Sequence, residues 1–217
     1  IAHEFRNPLA SLSGSVELLK EKAEDSEENK KLFNIIFRER DRLDNLISSF
    51  LDFVQFQRVN LGPVNFNKLI EEITLGNLGR GFRFPNIHFK VTIEGNIEII
   101  ADEHQMRQAI VNLIKNSSES MPNGGEIYIS ANRLPQESKV KIQIRDTGAG
   151  ISNLDLDRIF DPFFSTKPKG PGLGLAIVSR IVELHKGAIE FKSKVGIGTQ
   201  VFLEFPNLNL PNEEVTT

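Results

Sequence analysis

DTGAGISNLDLDRIFDPFFSTKPKGPGLGLAIVSRIVELH, from Asp146 to His185, sets two glycine clusters on either side of one loop. Upstream, Val140, Ile142 and Ile144 alternate with polar residues and predict a strand ending at Asp146. Downstream, Leu173 to His185 has helical spacing. The stretch between, Thr147 to Gly172, is rich in Gly, Pro and Ser and reads as loop. Gly148 and Gly150 let the backbone turn where other residues resist and let a ligand come close. Asp146, at the strand end, is an acceptor suited to the exocyclic amine of adenine. The second cluster, GPGLGL at Gly170 to Leu175, opens a helix, and bare amides at a helix start bind phosphate.

Working outward, Asn67 to Leu78 predicts a helix, Ile87 to Ile93 and Ile97 to Ala101 strands, and Glu103 to Met121 a long amphipathic helix. The turn Pro122-Asn123-Gly124-Gly125 leads into the alternation of Ile127, Ile129 and Ala131, and Ala188 to Ser193 and Thr199 to Phe205 supply two last strands. Helices grouped against a mixed, mostly antiparallel sheet make an α+β two-layer sandwich.

The first sixty residues follow another period. Ala2, Phe5, Leu9, Leu12, Val16 and Leu19 form one stripe. After the polar Glu21 to Lys31, Ile36, Leu43 and Phe50 hold one heptad position and Leu46 and Phe53 the other. This is a helical hairpin, and its seams can be buried by a second copy, as a four-helix bundle, or by the rest of the chain. The former, a homodimer, is the reading taken. The heptads stop at Gly62-Pro63, which divides the chain into 1–61, 62–207 and a short tail, 208–217.

The 217 residues carry 26 Lys+Arg and 29 Asp+Glu, a net charge of −3, and no run of five like charges, which argues against a nucleic-acid partner. Absence of Cys removes disulfides, thiol catalysis and Cys-ligated zinc and suits a reducing, cytoplasmic setting. No apolar run reaches the roughly 18 residues of a membrane span. The chain has no initiating Met and reads as a fragment, with any membrane attachment lying in a segment upstream of it.

Three further clusters bear chemistry. In HEFRNPL, His3 to Leu9, the His lies off the apolar stripe and can present a ring nitrogen as nucleophile, with Glu4 accepting the proton of the other nitrogen. Pro8 lacks the N–H that would bond the Glu4 carbonyl, so the helix should bend there. In NLIKN, Asn112 and Asn116 are four apart on one helical face, and amide oxygens are hard ligands suited to Mg²⁺. In IFDPFFSTK, Phe160, Phe163 and Phe164 can anchor a mobile loop while Lys167 follows a polyphosphate.

With these motifs in this order, nearly the whole chain resembles the catalytic core of bacterial sensor histidine kinases of two-component systems, and the wording of HEFRNPLASLSG and FDPFFSTKP is closest to their nitrogen-regulation and pilus-regulation branch. The resemblance implies a dimerisation and phosphotransfer hairpin followed by a Bergerat-type ATP-binding domain. It implies His3 as phosphoacceptor, Glu4 as its acid/base partner, Asn116 as Mg²⁺ ligand with Asn112 near the phosphates, and Asp146 as adenine anchor. Gly148, Gly150, Gly172 and Gly174 would shape the ATP pocket, Leu173 would bind the cofactor with them, Lys167 would sit on the lid and Thr199 would support the adenine site. Ser117 departs from the family pattern, where Ala is commoner.

The implied activity is transfer of the ATP γ-phosphoryl group to His3, and then to an Asp of a response regulator receiver domain. Asn7, three residues after Glu4 and four after His3, matches the E-x-x-N pattern linked to regulator dephosphorylation, in which its amide would orient a water. Two competitors are an ATPase of the topoisomerase or mismatch-repair class and a scaffold with a vestigial pocket. The former needs a Glu one turn before the Mg²⁺-binding Asn to activate water, and here that residue is Asn112, which cannot take a proton. The latter would require missing motifs.

Overall fold

A computed structural model describes residues 14–21, 26–55, 59–75, 86–134, 136, 138–167 and 172–206. His3, Glu4, Asn7 and most of the first stripe, with the bend expected at Pro8, lie outside them. Residues 14–21 are helical, and α1 (Glu27–Gln55) follows, with the Lys20 ammonium 5.6 Å from the Phe37 ring. Ile36, Leu43 and Phe50, the heptad position read above, are 41–48% exposed in the single chain. The far end of α1 touches the second unit, and Leu51 is buried.

The second unit begins with β1 (Gly62–Asn65), which pairs antiparallel with β3 (Glu98–Ala101). The sequence reading took Gly62-Pro63 only as a boundary, because four residues opening on Gly-Pro carry little alternation; proline is tolerated on such an edge. Asn65 caps α2 (Phe66–Thr74), accepting from the Lys68 N–H at 3.0 Å. This helix stops short of the predicted Leu78, and 76–85 are not among the described residues.

The main sheet has strands β2 (Ile87–Ile93), β4 (Gly125–Leu134), β5 (Lys139–Asp146), β7 (Gly198–Pro206) and β6 (Ala188–Lys194), in that spatial order. β2 runs parallel to β4 and the remaining pairs are antiparallel, the mixed sheet expected. One face, including Ile127, Ile129, Ile142, Ile144, Val201 and Leu203, is buried under α3 (Glu103–Glu119) and α5 (Gly174–Leu184). Each such side chain contributes on the order of 1.5–3 kcal/mol through burial. The predicted loop contains one helical turn, α4 (Asn153–Leu156), started by Ser152, whose hydroxyl accepts from the Asp155 N–H. Among the described residues no helix is long and apolar enough to cross a membrane.

The start of α3 is tied to both ends of this unit. The Asp102 carboxylate accepts from Gln105 N–H and from Asn60 N–H in the linker, both at 3.0 Å. The Asp102 N–H donates to His185 Nε2 at 2.9 Å, so His185 carries its hydrogen on Nδ1, which donates to the Ile181 carbonyl at 2.8 Å. Partial burial alone would raise the Asp102 pKa, but the backbone N–H groups of Asn60, Gln105 and His104 outweigh it and hold the value below the ordinary 3.8. A depressed carboxylate stabilises the fold fully above its unfolded value and loses that contribution as pH falls through the folded one. Asp102→Ala should therefore cost about 1 kcal/mol at neutral pH, and urea titrations should show the gap from wild type closing as pH drops below 3.8. A gap independent of pH would contradict this assignment.

Candidate functional site

The cleft lies between α3, the loop after β5 and the start of α5, and encloses about 510 Å³. At its floor Asp146 is 5% exposed. Its Oδ1 accepts from the N–H groups of Gly148 (2.9 Å) and Thr199 (3.1 Å), and its Oδ2 from the Ser117 hydroxyl at 2.8 Å. Thr199 is buried, and its Oγ1 lies 2.9 Å from Ser193 Oγ. The carboxylate thus joins the end of β5 to α3 and β7.

Gly148 itself does not line the cleft but sits behind Asp146, where a Cβ would lie 1.9 Å from Ser120 Oγ. Only glycine lets the loop approach α3 so closely. Gly150, Gly172 and Gly174 do line the cleft. Gly172 has φ +71°, and its carbonyl accepts from the Phe163 N–H at 3.0 Å, pinning one end of the long loop to the other. Leu173 is fully buried in the core, where its side chain anchors the start of α5.

No side chain caps the start of α5 at Leu173, so its first amides are left for another acceptor. Gly174 lies beside the two asparagines: a Cβ placed on it would be 3.7 Å from Asn116 Nδ2 and 3.8 Å from Asn112 Oδ1. Both asparagines line the cleft. The structure also brings Lys167 to Asn116, where its ammonium donates to the side-chain and main-chain oxygens, each at 3.3 Å, and to Glu119 Oε2 at 2.8 Å. Hard oxygens converging on a cation are the donor set a divalent ion takes, so Asn116 fits the Mg²⁺ role. Among the described residues no group of three or more His, Asp or Glu could hold a metal.

Of the phenylalanines, Phe160 packs edge-on against Phe191 with centroids 5.5 Å apart, and Phe164 lies 4.4 Å from the Arg158 guanidinium. Phe163 is 61% exposed and takes φ +68°. Sequence reasoning missed Glu119, which has no motif signal, and left Ser117 as a mere departure. Ser117 had a signal: it continues the buried stripe Met106, Ile110, Leu113, where a hydroxyl must find a partner.

Residues 101–209 match the Histidine kinase-, DNA gyrase B-, and HSP90-like ATPase family, and residues 1–58 match the His Kinase A (phospho-acceptor) domain. The chain belongs to that ATPase family, in its histidine kinase form, with the phosphoacceptor domain joined in front of the nucleotide domain. It is similar to sporulation kinase A of Bacillus subtilis (strain 168), with 36% identity over 95% of this chain and 33% of the relative. The chain therefore spans about a third of that protein's length. Among solved structures it resembles full-length ShkA in complex with AMPPNP, at a TM-score of 0.75 and 28% identity over 94% of this chain and 44% of that one. It also resembles histidine kinase ThkA in complex with response regulator protein TrrA, at a TM-score of 0.69 and 29% identity over 95% and 59% of the two chains.

The Lys167–Glu119 pair ties the loop between the glycine clusters to α3, and both side chains are partly exposed. Such a pair contributes about 0.2–1 kcal/mol. In nucleotide-free Glu119→Gln, amide hydrogen exchange over residues 163–167 should accelerate by roughly twofold to fivefold. Unchanged protection would mean that the Phe163–Gly172 closure holds the loop alone.

Proposed function

We propose that this chain is the catalytic core of a protein-histidine kinase, which phosphorylates its own His3 from Mg-ATP and passes the phosphoryl group to an Asp of a response regulator receiver domain. One observation carries the nucleotide half of this reading. One cleft is lined by the Asp146 carboxylate and by an uncapped helix start with Asn112 and Asn116 beside it. The first suits a base amine and the second a polyphosphate.

On this reading, Asn116 Oδ1 would hold Mg²⁺, which would supply charge neutralisation to the phosphates. Lys167, released from Asn116, follows the same phosphates. A ring nitrogen of His3 attacks the γ-phosphorus as the bond to the bridging oxygen breaks, ADP departs, and Glu4 takes the proton of the other ring nitrogen. Asn112 cannot accept a proton from water, which favours transfer over hydrolysis. ShkA was crystallised with AMPPNP and ThkA with a response regulator, and both support the parallel reading here. The exposed Ile36, Leu43 and Phe50 support a homodimeric hairpin. The nitrogen and pilus branch rests on motif spelling alone; the relative reported above is a sporulation kinase.

Incubation with γ-labelled ATP should yield acid-labile, base-stable phosphate, and label on Ser or Thr would overturn the assignment. His3→Gln should bind nucleotide normally and take no label. Asp146→Asn should weaken nucleotide binding by about 1–3 kcal/mol, since its amide presents a donor where the adenine amine needs an acceptor. Equal affinity losses in both variants, measured by calorimetric titration, would contradict this division of labour.

Asn7 is proposed to orient the water that attacks an aspartyl phosphate. Asn7→Ala should autophosphorylate at close to the normal rate but slow the loss of phosphate from the regulator several-fold, given the 10²–10⁴-fold typical of a positioned proton-transfer group as the upper bound. Regulator dephosphorylation at the wild-type rate would leave Asn7 with a local backbone role before Pro8.

A further inference from the structure

The last turn of α3 carries a seat for a cation that the two asparagines alone do not account for. Glu119 ends the helix three residues after Asn116, on the same face, and lines the cleft with it. The Lys167 ammonium fills that seat: it donates to Asn116 Oδ1 and to the Asn116 carbonyl, each at 3.3 Å, and to Glu119 Oε2 at 2.8 Å. Two features suit the spot to positive charge. A helix C-terminus is the negative end of the aligned peptide dipoles, and Glu119 adds a full carboxylate to it. The Asn116 carbonyl also accepts from the Ser120 N–H at 3.1 Å, so it stays engaged with the helix, and the side-chain oxygens of Asn116 and Glu119 are the ones that can turn to another cation.

A carboxylate in this position conflicts with a polyphosphate. Once Lys167 follows the phosphates, Glu119 would meet them anion against anion in the same cleft, a repulsion that a cation between them reverses. We infer that Glu119 is a second protein ligand, beside Asn116, for the divalent cation of the nucleotide complex, and that the Lys167 ammonium and this cation exchange at the same oxygens. The inference rests on the nucleotide reading above. One carboxylate and one amide oxygen are hard donors of the type Mg²⁺ and Mn²⁺ take, and so small a protein set leaves the other positions to phosphate oxygens and water. Lys167 belongs to the long loop between the glycine clusters, so the exchange also releases that loop from α3. Loading of the metal and recruitment of Lys167 to the phosphates thereby become one event.

The test is calorimetric titration of the full chain with ADP, once with Mn²⁺ and once with EDTA, for wild type, Glu119→Gln and Lys167→Met. Both side chains are partly exposed, so neither change disturbs the core. Glu119→Gln should weaken binding of Mn-ADP by roughly tenfold, the lower end of what losing a group that holds a metal site costs. Metal-free ADP should bind this variant as well as wild type or more tightly, because a carboxylate beside the phosphates is gone. Lys167→Met should do the reverse and weaken metal-free ADP more than Mn-ADP. Mn-ADP binding to Glu119→Gln at wild-type affinity would overturn the proposal and leave Glu119 as the partner of Lys167 alone. An equal loss of Mn-ADP affinity in the two variants would trace the effect to the broken ion pair and overturn it as well. Failure of wild type to bind ADP under either condition would instead overturn the nucleotide reading on which the proposal stands.

Discussion

Burying an ionised carboxylate costs several kcal/mol unless donors replace the water it loses. Asp146 meets that cost with the Ser117 hydroxyl and the Gly148 and Thr199 amides, which belong to α3, the loop after β5 and the start of β7. Because these partners come from different elements, the carboxylate can be satisfied only when helix, loop and strand are all in register. The tight glycines are consequences of the same demand. Gly148 must approach Ser120, and Gly198, at φ +128°, must pass the Asp146 carbonyl, where a Cβ would lie 2.1 Å away.

The opposite end of the cleft is organised by positive charge rather than by a buried anion. The uncapped start of α5 lies beside the asparagine face of α3, and the Lys167 ammonium donates to Asn116. Glu119 offsets the ammonium at 2.8 Å, so the site carries its own counter-charge. A polyphosphate would compete for Lys167 against one partly exposed carboxylate, a contest the higher charge wins. The loop bearing Lys167 is thus held closely enough to be positioned and weakly enough to be recruited.

Where side-chain period and burial coincide, the fold was legible. Ile127, Ile129 and Ala131, with Val140, Ile142 and Ile144, alternate because one sheet face is covered, and the structure buries those six residues. The glycine clusters and paired asparagines were legible as a site because their residue types are costly in ordinary elements and need a local reason. What escaped was local chemistry without periodicity. β1 is four residues opening on Gly-Pro, and α4 is one turn whose only signal is Ser152 with Asp155 three residues on. Glu119 escaped because an acidic residue near a helix end is ordinarily solvated, and only the returning loop gives it a partner.

Hydrolysis and transfer differ in one group that need not be charged to bind phosphate. A carboxylate at position 112 would accept a proton from water, whereas the amide of Asn112 offers hydrogen bonds without basicity. With Asn112 lining the cleft and close to the start of α5, a bound polyphosphate would be oriented there, and no base on that turn of α3 would activate water. On the proposed reading the nucleophile comes from outside the nucleotide domain, from His3 with Glu4 next to it in the sequence. The linker that would bring them together passes Asn60, whose N–H is held by Asp102 at the start of the same helix that carries Asn112 and Asn116. Linker and cleft are therefore referenced to one helix, α3, which presents Asn112 and Asn116 to the cleft, buries Ser117 against Asp146, and holds the connecting chain at its start.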